Sequence, residues 1–344
     1  MVRPNRWTAP TSRPARVAAV GTALSLTALL SGCGLLDGSS GADESAAEGG
    51  GQVEKSDIKI GYNPIIDVAP IFYADENGYF ADEGLNVSTE RTTSGAEAIA
   101  SLAGGSLDFT YGSHVAFMAA QASGVADLKI VGDAYTALED NVAIMTVPGS
   151  GVEKPEDLAD VSIGINAERS LADLLSISAM TSNGVDVAYE DVNWQQMAMP
   201  DLPTALADGH IKAALLPEPF LTQAAMQHGA FKVLDAAEGP TAEWPLGGYV
   251  VSADFAEENP KTVAAFQRAL VRASEALVDQ GELEQILPEV AGIDEDIVSV
   301  LNFGAFPTTL EAERIQRVAT LMSQFSFIEE PIDVEDMIVP LPED

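Results

Sequence analysis

Short hydrophobic runs alternate with segments of helical spacing along most of the chain. The runs predict β-strands over 57–62, 86–92, 108–111, 129–133, 143–147, 161–166, 187–193, 213–216, 231–234 and 248–253. Helical patterns fall between most of these strands, for example over 70–77 and 114–123, and the chain from 260 to about 327 is predicted to be helical and free of strands. Such alternation is typical of α/β layers built on largely parallel sheets.

Several of the predicted helices begin directly after a predicted strand. The segment Ser94-Gly-Ala-Glu97 has the pattern of a capping box, Ser113 precedes the helix over 114–123, and Ser170 stands three residues before Asp173. The carboxyl ends of parallel strands meet at one edge of a sheet, where ligands bind in open α/β folds. Helix N-termini at such an edge favour anionic or strongly polar groups.

The N-terminal segment has the three parts of a secretory signal peptide. Four arginines and no acidic residue come first, the apolar run 17–30 follows, and Leu30-Ser31-Gly32-Cys33 supplies small residues before the only cysteine of the chain. The apolar run of 14 residues is shorter than the roughly 20 that span a bilayer, which argues against a transmembrane helix. We therefore expect a signal peptide at 1–32 and a flexible, Gly-, Ser- and acid-rich tether at 33–55.

Charge and composition exclude several classes of function. The net charge is −36, and without residues 1–32 the chain keeps 13 basic residues against 53 acidic ones, so nucleic acid is not an expected partner. One cysteine allows no internal disulfide, and the three histidines lie far apart in sequence. No G-x-S-x-G or P-loop motif is present. We expect no metal, no cofactor and no catalytic residues.

Four further segments have a recognisable sequence. They are IKIGYNPIIDVAPIFYADENGYFADEGLNV at 58–87, SGAEAIASLAGGSLDFTYGS at 94–113, PGSGVEKPEDLADVSIGI at 148–165 and DGHIKAALLPEP at 208–219. Together they resemble the solute-binding proteins of ABC importers, in the group that binds alkanesulfonates, taurine, nitrate and thiamine-pyrimidine precursors. The segment L-S-G-C resembles the bacterial lipobox, in which the cysteine is acylated after cleavage.

The resemblance implies a two-lobed periplasmic binding protein fold of type II, with two crossover strands as the hinge and the ligand in the cleft. Lobe one is expected at 56–141 and 246–344, and lobe two at 142–245. The protein is then expected to be a monomer that is lipid-anchored outside the cell membrane through Cys33. It would capture a small organic solute, such as a sulfonate, a taurine-like compound or a thiamine-pyrimidine precursor, and deliver it to an ABC permease with its ATPase.

Two other functions stay open. The chain is also compatible with a lipoprotein that presents its ligand to a sensor. An enzyme related to the yeast thiamine-pyrimidine synthase is a second alternative, but that enzyme uses a cysteine cluster with iron, and this chain has no cysteine beyond Cys33.

The candidate ligand-binding residues follow strand ends or carry chemistry that suits an anionic head and a hydrogen-bond-donating nitrogen. Arg169 offers a bidentate contact to a sulfonate, phosphate or carboxylate, and Glu218, beyond the strand over 213–216, offers an acceptor for a ligand amine. The same residue types are also typical of helix caps, turns, salt bridges and packing. The full set is Asn63, Ser94, Gly95, Gly112, Ser113, His114, Tyr135, Asn166, Arg169, Ser170, Trp194 and Glu218.

Overall fold

The computed structural model describes residues 52–342, so the predicted signal peptide, Cys33 and most of the predicted tether lie outside the described residues. The strands in this range are β1 (Asp57–Tyr62), β2 (Asn86–Arg91), β3 (Phe109–Ser113), β4 (Leu128–Ala137), β5 (Val142–Thr146), β6 (Ser162–Ile165), β7 (Asn193–Gln196), β8 (Ala213–Pro217), β9 (Phe231–Asp235) and β10 (Trp244–Ser252). The α-helices are α1 (Ala69–Glu76), α2 (Tyr79–Asp82), α3 (Gly95–Ala103), α4 (His114–Ala122), α5 (Leu171–Ser182), α6 (Leu202–Ala207), α7 (Phe220–His228), α8 (Ala253–Glu258), α9 (Pro260–Ala276), α10 (Gln280–Ala291), α11 (Glu295–Val298) and α12 (Ala312–Gln324).

The strands form two five-stranded sheets of the same design. Their orders are β2-β1-β3-β10-β4 and β7-β6-β8-β5-β9. In the first sheet β1 runs parallel to both of its neighbours, and β10 is antiparallel to β3 and β4. In the second sheet β6 is parallel to both neighbours, and β5 is antiparallel to β8 and β9. The predicted two-lobed α/β fold is therefore confirmed, and below lobe one and lobe two denote the parts built on the first and second sheet.

Two crossovers connect the sheets, and hydrogen bonds hold these crossovers together. The chain passes from β4 to β5 through 138–141 and returns from β9 to β10 through 236–243. The backbone N–H of Asp140 donates to the Asp235 carboxylate at 2.8 Å, and the N–H of Ala236 donates to the Val142 carbonyl at 2.9 Å. Lys232 forms ion pairs with both of these aspartates. The connection is thus a hydrogen-bonded pair of short segments.

The C-terminal helices pack against lobe one. In α9, the buried ring of Phe266 stacks on Phe109 of β3 at 4.3 Å and on Phe80 of α2 at 5.8 Å. Burying one such side chain is worth roughly 1.5–3 kcal/mol. In α12, Arg314 forms an ion pair with buried Asp133 of β4. Both helices therefore belong to lobe one.

The predicted strand over 187–193 is wrong in its placement. A 3₁₀ turn occupies Tyr189–Asp191, and β7 begins only at Asn193. The Tyr189 hydroxyl donates to the Asp173 carboxylate at 2.7 Å, which pulls the tyrosine towards α5 and away from the sheet. A tertiary contact therefore overrides the local strand propensity of this segment.

The last residues of the predicted tether are ordered, which corrects its boundary. The Glu54 carboxylate accepts hydrogen bonds from the N–H groups of Lys261 and Thr262 in the first turn of α9, at 3.0 and 2.9 Å. The ammonium group of Lys55 pairs with Asp108 at 2.7 Å. Since the first N–H groups of a helix have no partner within the helix, Glu54 caps α9 and fixes the chain before β1.

Candidate functional site

The carboxyl ends of β1, β2 and β3 form one edge of lobe one. Because β1 lies between β2 and β3, the loops that follow these strands emerge side by side. The hydroxyl of Thr92, after β2, donates to the side-chain oxygen of Asn63, after β1, at 2.8 Å. A side-chain carbon added at Gly95 would lie 3.4 Å from Ala116, so the first turns of α3 and α4 are adjacent.

Serine caps open both of these helices, as the sequence predicts. The N–H of Glu97 donates to Ser94 Oγ at 3.2 Å, and the N–H of Ala116 donates to Ser113 Oγ at 3.2 Å. The Glu97 carboxylate accepts from the N–H of Thr93 rather than of Ser94, so the capping box is shifted by one residue. Asn63, Ser94, Gly95 and Ser113 thus share one edge, with two helix N-termini beside them.

Lobe two presents an equivalent edge at the ends of β6, β7 and β8. Strand β6, which lies between β7 and β8, ends at Ile165, so exposed Asn166 stands at its carboxyl end, as Asn63 does after β1 in lobe one. Ser170 then caps α5 in a full capping box: it accepts from the N–H of Ala172, and its own N–H donates to Asp173 at 2.7 Å. Each lobe therefore carries an asparagine after the strand with two parallel neighbours, β1 or β6, and a serine-capped helix of at least nine residues.

Three of the predicted ligand residues are buried in lobe one, where protein groups surround them. His114 is fully buried, with its Nε2 3.4 Å from Asp133 Oδ1. Burial, together with the nearby Arg314 guanidinium, lowers the pKa of His114 to about 3, so the imidazole is neutral. Tyr135 is buried and accepts a 2.5 Å hydrogen bond from the N–H of Gly304. Gly112 is buried too, and a Cβ there would lie 2.8 Å from the Phe117 ring.

Glu218 also differs from the prediction, because its carboxylate binds protein donors. It accepts from the N–H and hydroxyl of Thr222 at 3.1 and 2.7 Å and from the N–H of Asn302 at 3.1 Å. The side chain is only 7% exposed, and burial raises the pKa of its carboxyl above the usual range. Glu218 therefore links β8 of lobe two to the segment before α12, and protein donors already occupy most of its accepting capacity.

Arg169 and Trp194 lie together on lobe two in an aromatic cluster. The guanidinium of Arg169 is 4.6 Å from the centre of the Tyr189 ring, and Trp194 packs 5.5 Å from the same ring. The indole N–H of Trp194 donates to the Tyr189 carbonyl at 3.1 Å. Arg169 also donates to the carbonyl of Ser326 at 2.6 Å, so protein groups hold the side chain predicted to bind an anion.

Arg91 is a candidate that the sequence analysis missed. It ends β2, pairs in register with Tyr62 and directly precedes Thr92 at the carboxyl edge of lobe one. Among the arginines in residues 52–342, the side chains of the other five each have a hydrogen bond or ion pair, whereas the exposed Arg91 side chain has none within these residues. The available signal was its place near the end of the predicted strand over 86–92, just before the capping box that begins at Ser94.

One carboxyl group near the lobe-one edge has a strongly raised pKa. Asp67, in the 3₁₀ turn that follows Asn63, is 8% exposed and accepts from the hydroxyl of Tyr111 at 2.6 Å. The hydroxyl of Tyr249 lies 3.4 Å from the Asp67 carbonyl. Burial raises the pKa of Asp67 to about 6, although the Tyr111 hydrogen bond opposes the shift. The loop after β1 is thus anchored to β3 and β10 from below.

In each sheet the strand order reverses at this edge, because the chain passes from β1 to β2 on one side and to β3 on the other, and from β6 to β7 on one side and to β8 on the other. Ligands bind at such points in open α/β folds. Comparison with known proteins decides the family, since residues 51–290 match the model of the NMT1-like family. The chain belongs to the NMT1-like family. The match spans strands of both sheets, and the resemblance to the solute-binding proteins of ABC importers is confirmed.

Individual relatives agree with this membership. A Bacillus subtilis protein named "Putative aliphatic sulfonates-binding protein" is 27% identical over 323 residues, covering 90% of this chain and 91% of the relative. The alkanesulfonate-binding protein SsuA from Xanthomonas axonopodis pv. citri, bound to MOPS, has a similar structure with a TM-score of 0.69, 19% identity and coverage of 84% of this chain and 99% of SsuA. The nitrate-binding protein NrtA from Synechocystis has a TM-score of 0.70 at 15% identity, covering 84% and 87%. At these identities the two structures support the fold alone.

Neither a membrane-crossing helix nor a cluster of metal-ligating side chains occurs in the described part of the chain. None of the helices in residues 52–342 combines the length and apolar character that crossing a bilayer requires. No group of three His, Cys, Asp or Glu side chains within the same residues is arranged to hold a metal ion.

Proposed function

We propose that the chain is the extracytoplasmic substrate-binding lipoprotein of an ABC importer and that it captures a small organic solute with an anionic head, a sulfonate above all. The observation that carries the proposal is the pair of matched edges, at which three capped helices begin after the carboxyl ends of β2, β3 and β6. Family membership and the Bacillus subtilis relative support it.

Local groups favour an anion in spite of the acidic surface. Without residues 1–32 the chain has 13 basic and 53 acidic residues, a net charge of −40, and the resulting long-range repulsion is screened over about 8 Å at physiological salt. Each helix N-terminus contributes roughly 0.3–1 kcal/mol towards an anionic group, and Arg91 adds a guanidinium without a partner among residues 52–342. Asn63, Ser94, Gly95, Ser113, Asn166 and Ser170 are the proposed polar contacts.

The proposal no longer asks for the hydrogen-bond-donating nitrogen that the sequence analysis expected on the ligand. The expectation of a hydrogen-bond-donating nitrogen depended on Glu218, whose carboxylate accepts from Thr222 and Asn302 instead. The proposed substrate class therefore includes aliphatic sulfonates with and without an amino group.

The solute that the protein retains on purification tests the proposal. Protein prepared from its own cells without dialysis is denatured, and the released small molecules are identified by mass spectrometry. We expect an organic anion with a sulfonate head. Solution scattering after addition of that compound is expected to give a smaller radius of gyration, because the lobes close on it. Release of only a cation or a neutral sugar would contradict the proposed chemistry.

A further inference from the structure

A contact between the lobes involves Arg169 and the turn that follows α12. The guanidinium of Arg169 lies between two rings, 4.6 Å from the centre of Tyr189 and 5.2 Å from the centre of Phe327. Its Nη1 donates to the carbonyl of Ser326 at 2.6 Å. The rings of Tyr189 and Phe327 also meet each other edge to face at 5.2 Å. Four residues thus form one cluster, named the clasp below.

The two halves of the clasp come from different lobes. Arg169 and Tyr189 lie between β6 and β7, which pair with each other in the sheet of lobe two. Ser326 and Phe327 directly follow α12, which packs against α4 and β10 of lobe one. Arg314 in α12 pairs with Asp133 in β4, so the turn is fixed to lobe one. The clasp therefore joins the lobes beside the N-terminus of α5.

The lobe-two half is held in place by one buried carboxylate. Asp173 accepts from the hydroxyl of Tyr189 at 2.7 Å and from the backbone N–H groups of Arg169 and Ser170. Arg169 adopts φ 54° and Ser326 adopts φ 58°, backbone conformations that residues other than glycine seldom adopt. Such conformations persist only where several surrounding contacts hold the backbone in place. They are common in segments that clamp a ligand or change conformation.

We propose that the clasp holds the two lobes together, and that Arg169 is a positioning residue for closure rather than a contact of the bound solute. The inference rests on the proposed function in that the closed cleft is the solute-binding state. Cation–π contacts at partly exposed sites are modest, so removing Arg169 is expected to shift the equilibrium between open and closed lobes by roughly two- to five-fold.

The test measures the distance between the lobes without any solute. Spin labels are placed on the full chain carrying Cys33→Ser, at Val125→Cys in lobe one and Met226→Cys in lobe two, whose side chains are 68% and 64% exposed. Pulsed electron paramagnetic resonance then gives the distance distribution for this parent and for Arg169→Ala, Arg169→Lys and Phe327→Ala. Arg268→Ala removes an arginine that pairs with Glu83 within lobe one and serves as the matched control.

We expect Arg169→Ala and Phe327→Ala to change the distance distribution and to increase the radius of gyration in scattering, while Arg268→Ala resembles the parent. The double variant Arg169→Ala with Phe327→Ala is expected to add little to either single change, since both break the same cluster. Distributions identical to the parent in Arg169→Ala and Phe327→Ala would overturn the clasp. Because no solute is present, this result is independent of whether sulfonates bind.

Discussion

The hydroxyl of Tyr111 in β3 donates a 2.6 Å hydrogen bond to the carboxylate of Asp67, and both side chains are buried. This contact ties the loop after β1 to the centre of the lobe-one sheet. The loop begins with Asn63, one of the proposed contacts of the solute. A buried carboxyl group that supports the site should also make stability depend on pH.

Asp67→Asn is expected to change how stability varies with pH. The pKa of Asp67 is raised from 3.8 to about 6, so the folded protein holds this proton more tightly than the unfolded chain. The stabilisation from this group is therefore fully present below pH 4 and is lost as the pH rises through 6. The resulting loss in the free energy of unfolding is at most roughly 3 kcal/mol. Urea unfolding at several pH values measures the free energy of unfolding of parent and variant. If the difference in unfolding free energy between parent and variant stays constant from pH 4 to 7, the pKa of Asp67 is not raised in the folded protein.

Arg314→Met is expected to destabilise lobe one strongly. Arg314 forms an ion pair with Asp133, which is fully buried and also lies 3.4 Å from the neutral His114 ring. Removing one partner of a buried pair leaves an uncompensated charge and costs about 3–5 kcal/mol. Denaturant unfolding gives this cost, and Arg268→Met, which breaks an exposed pair with Glu83, is expected to cost under about 1 kcal/mol. If both variants lose the same unfolding free energy, the buried Arg314–Asp133 pair contributes no more to stability than the exposed Arg268–Glu83 pair, which would refute the prediction.

Glu218→Ala is expected to lower stability without altering ligand selection. The change leaves the N–H groups of Thr222 and Asn302 without their acceptor, at a cost of about 1–3 kcal/mol. Calorimetry with taurine and with ethanesulfonate, which lacks the amino group, compares their affinities. The ratio of the taurine affinity to the ethanesulfonate affinity should be the same in Glu218→Ala as in the parent. A selective loss of taurine binding would restore Glu218 as a ligand residue.

Cys33→Ser is expected to release the protein from the membrane. Stable anchoring needs two or more acyl chains, and the proposed acylation of Cys33 would supply them. Membrane fractionation of cells that produce parent or variant measures the effect, and mass spectrometry of the N-terminal peptide identifies the acyl groups. Free, unacylated Cys33 in the mature parent would rule out the anchor.

Local patterns in the sequence predicted much of the fold. The capping box of Ser170 and Asp173 is visible because its partners lie three residues apart, and most strands follow short apolar runs. The strand alternation also placed Asn63 and Asn166 at strand ends, where the structure has them.

Contacts between distant residues could not be predicted in this way. Glu218 meets Asn302, which is 84 residues away, and Arg169 meets Ser326, which is 157 residues away. The burial of His114 depends on how α4 packs against β10 and Asp133, which periodicity alone does not encode. Arg91 was missed because residue type does not reveal which arginines find partners in the fold.

Calorimetric titration of an aliphatic sulfonate tests the central proposal most directly, with the parent, Arg91→Ala and Arg268→Ala compared under one salt concentration. We expect one binding site, with affinity at least about ten-fold weaker in Arg91→Ala, since hydrogen bonds to charged groups contribute about 1.5–3 kcal/mol. Arg268→Ala should bind like the parent, and a matched carboxylate should bind more weakly than the sulfonate. No detectable binding of any sulfonate by the folded parent, or equal affinity in Arg91→Ala, would contradict the proposed site.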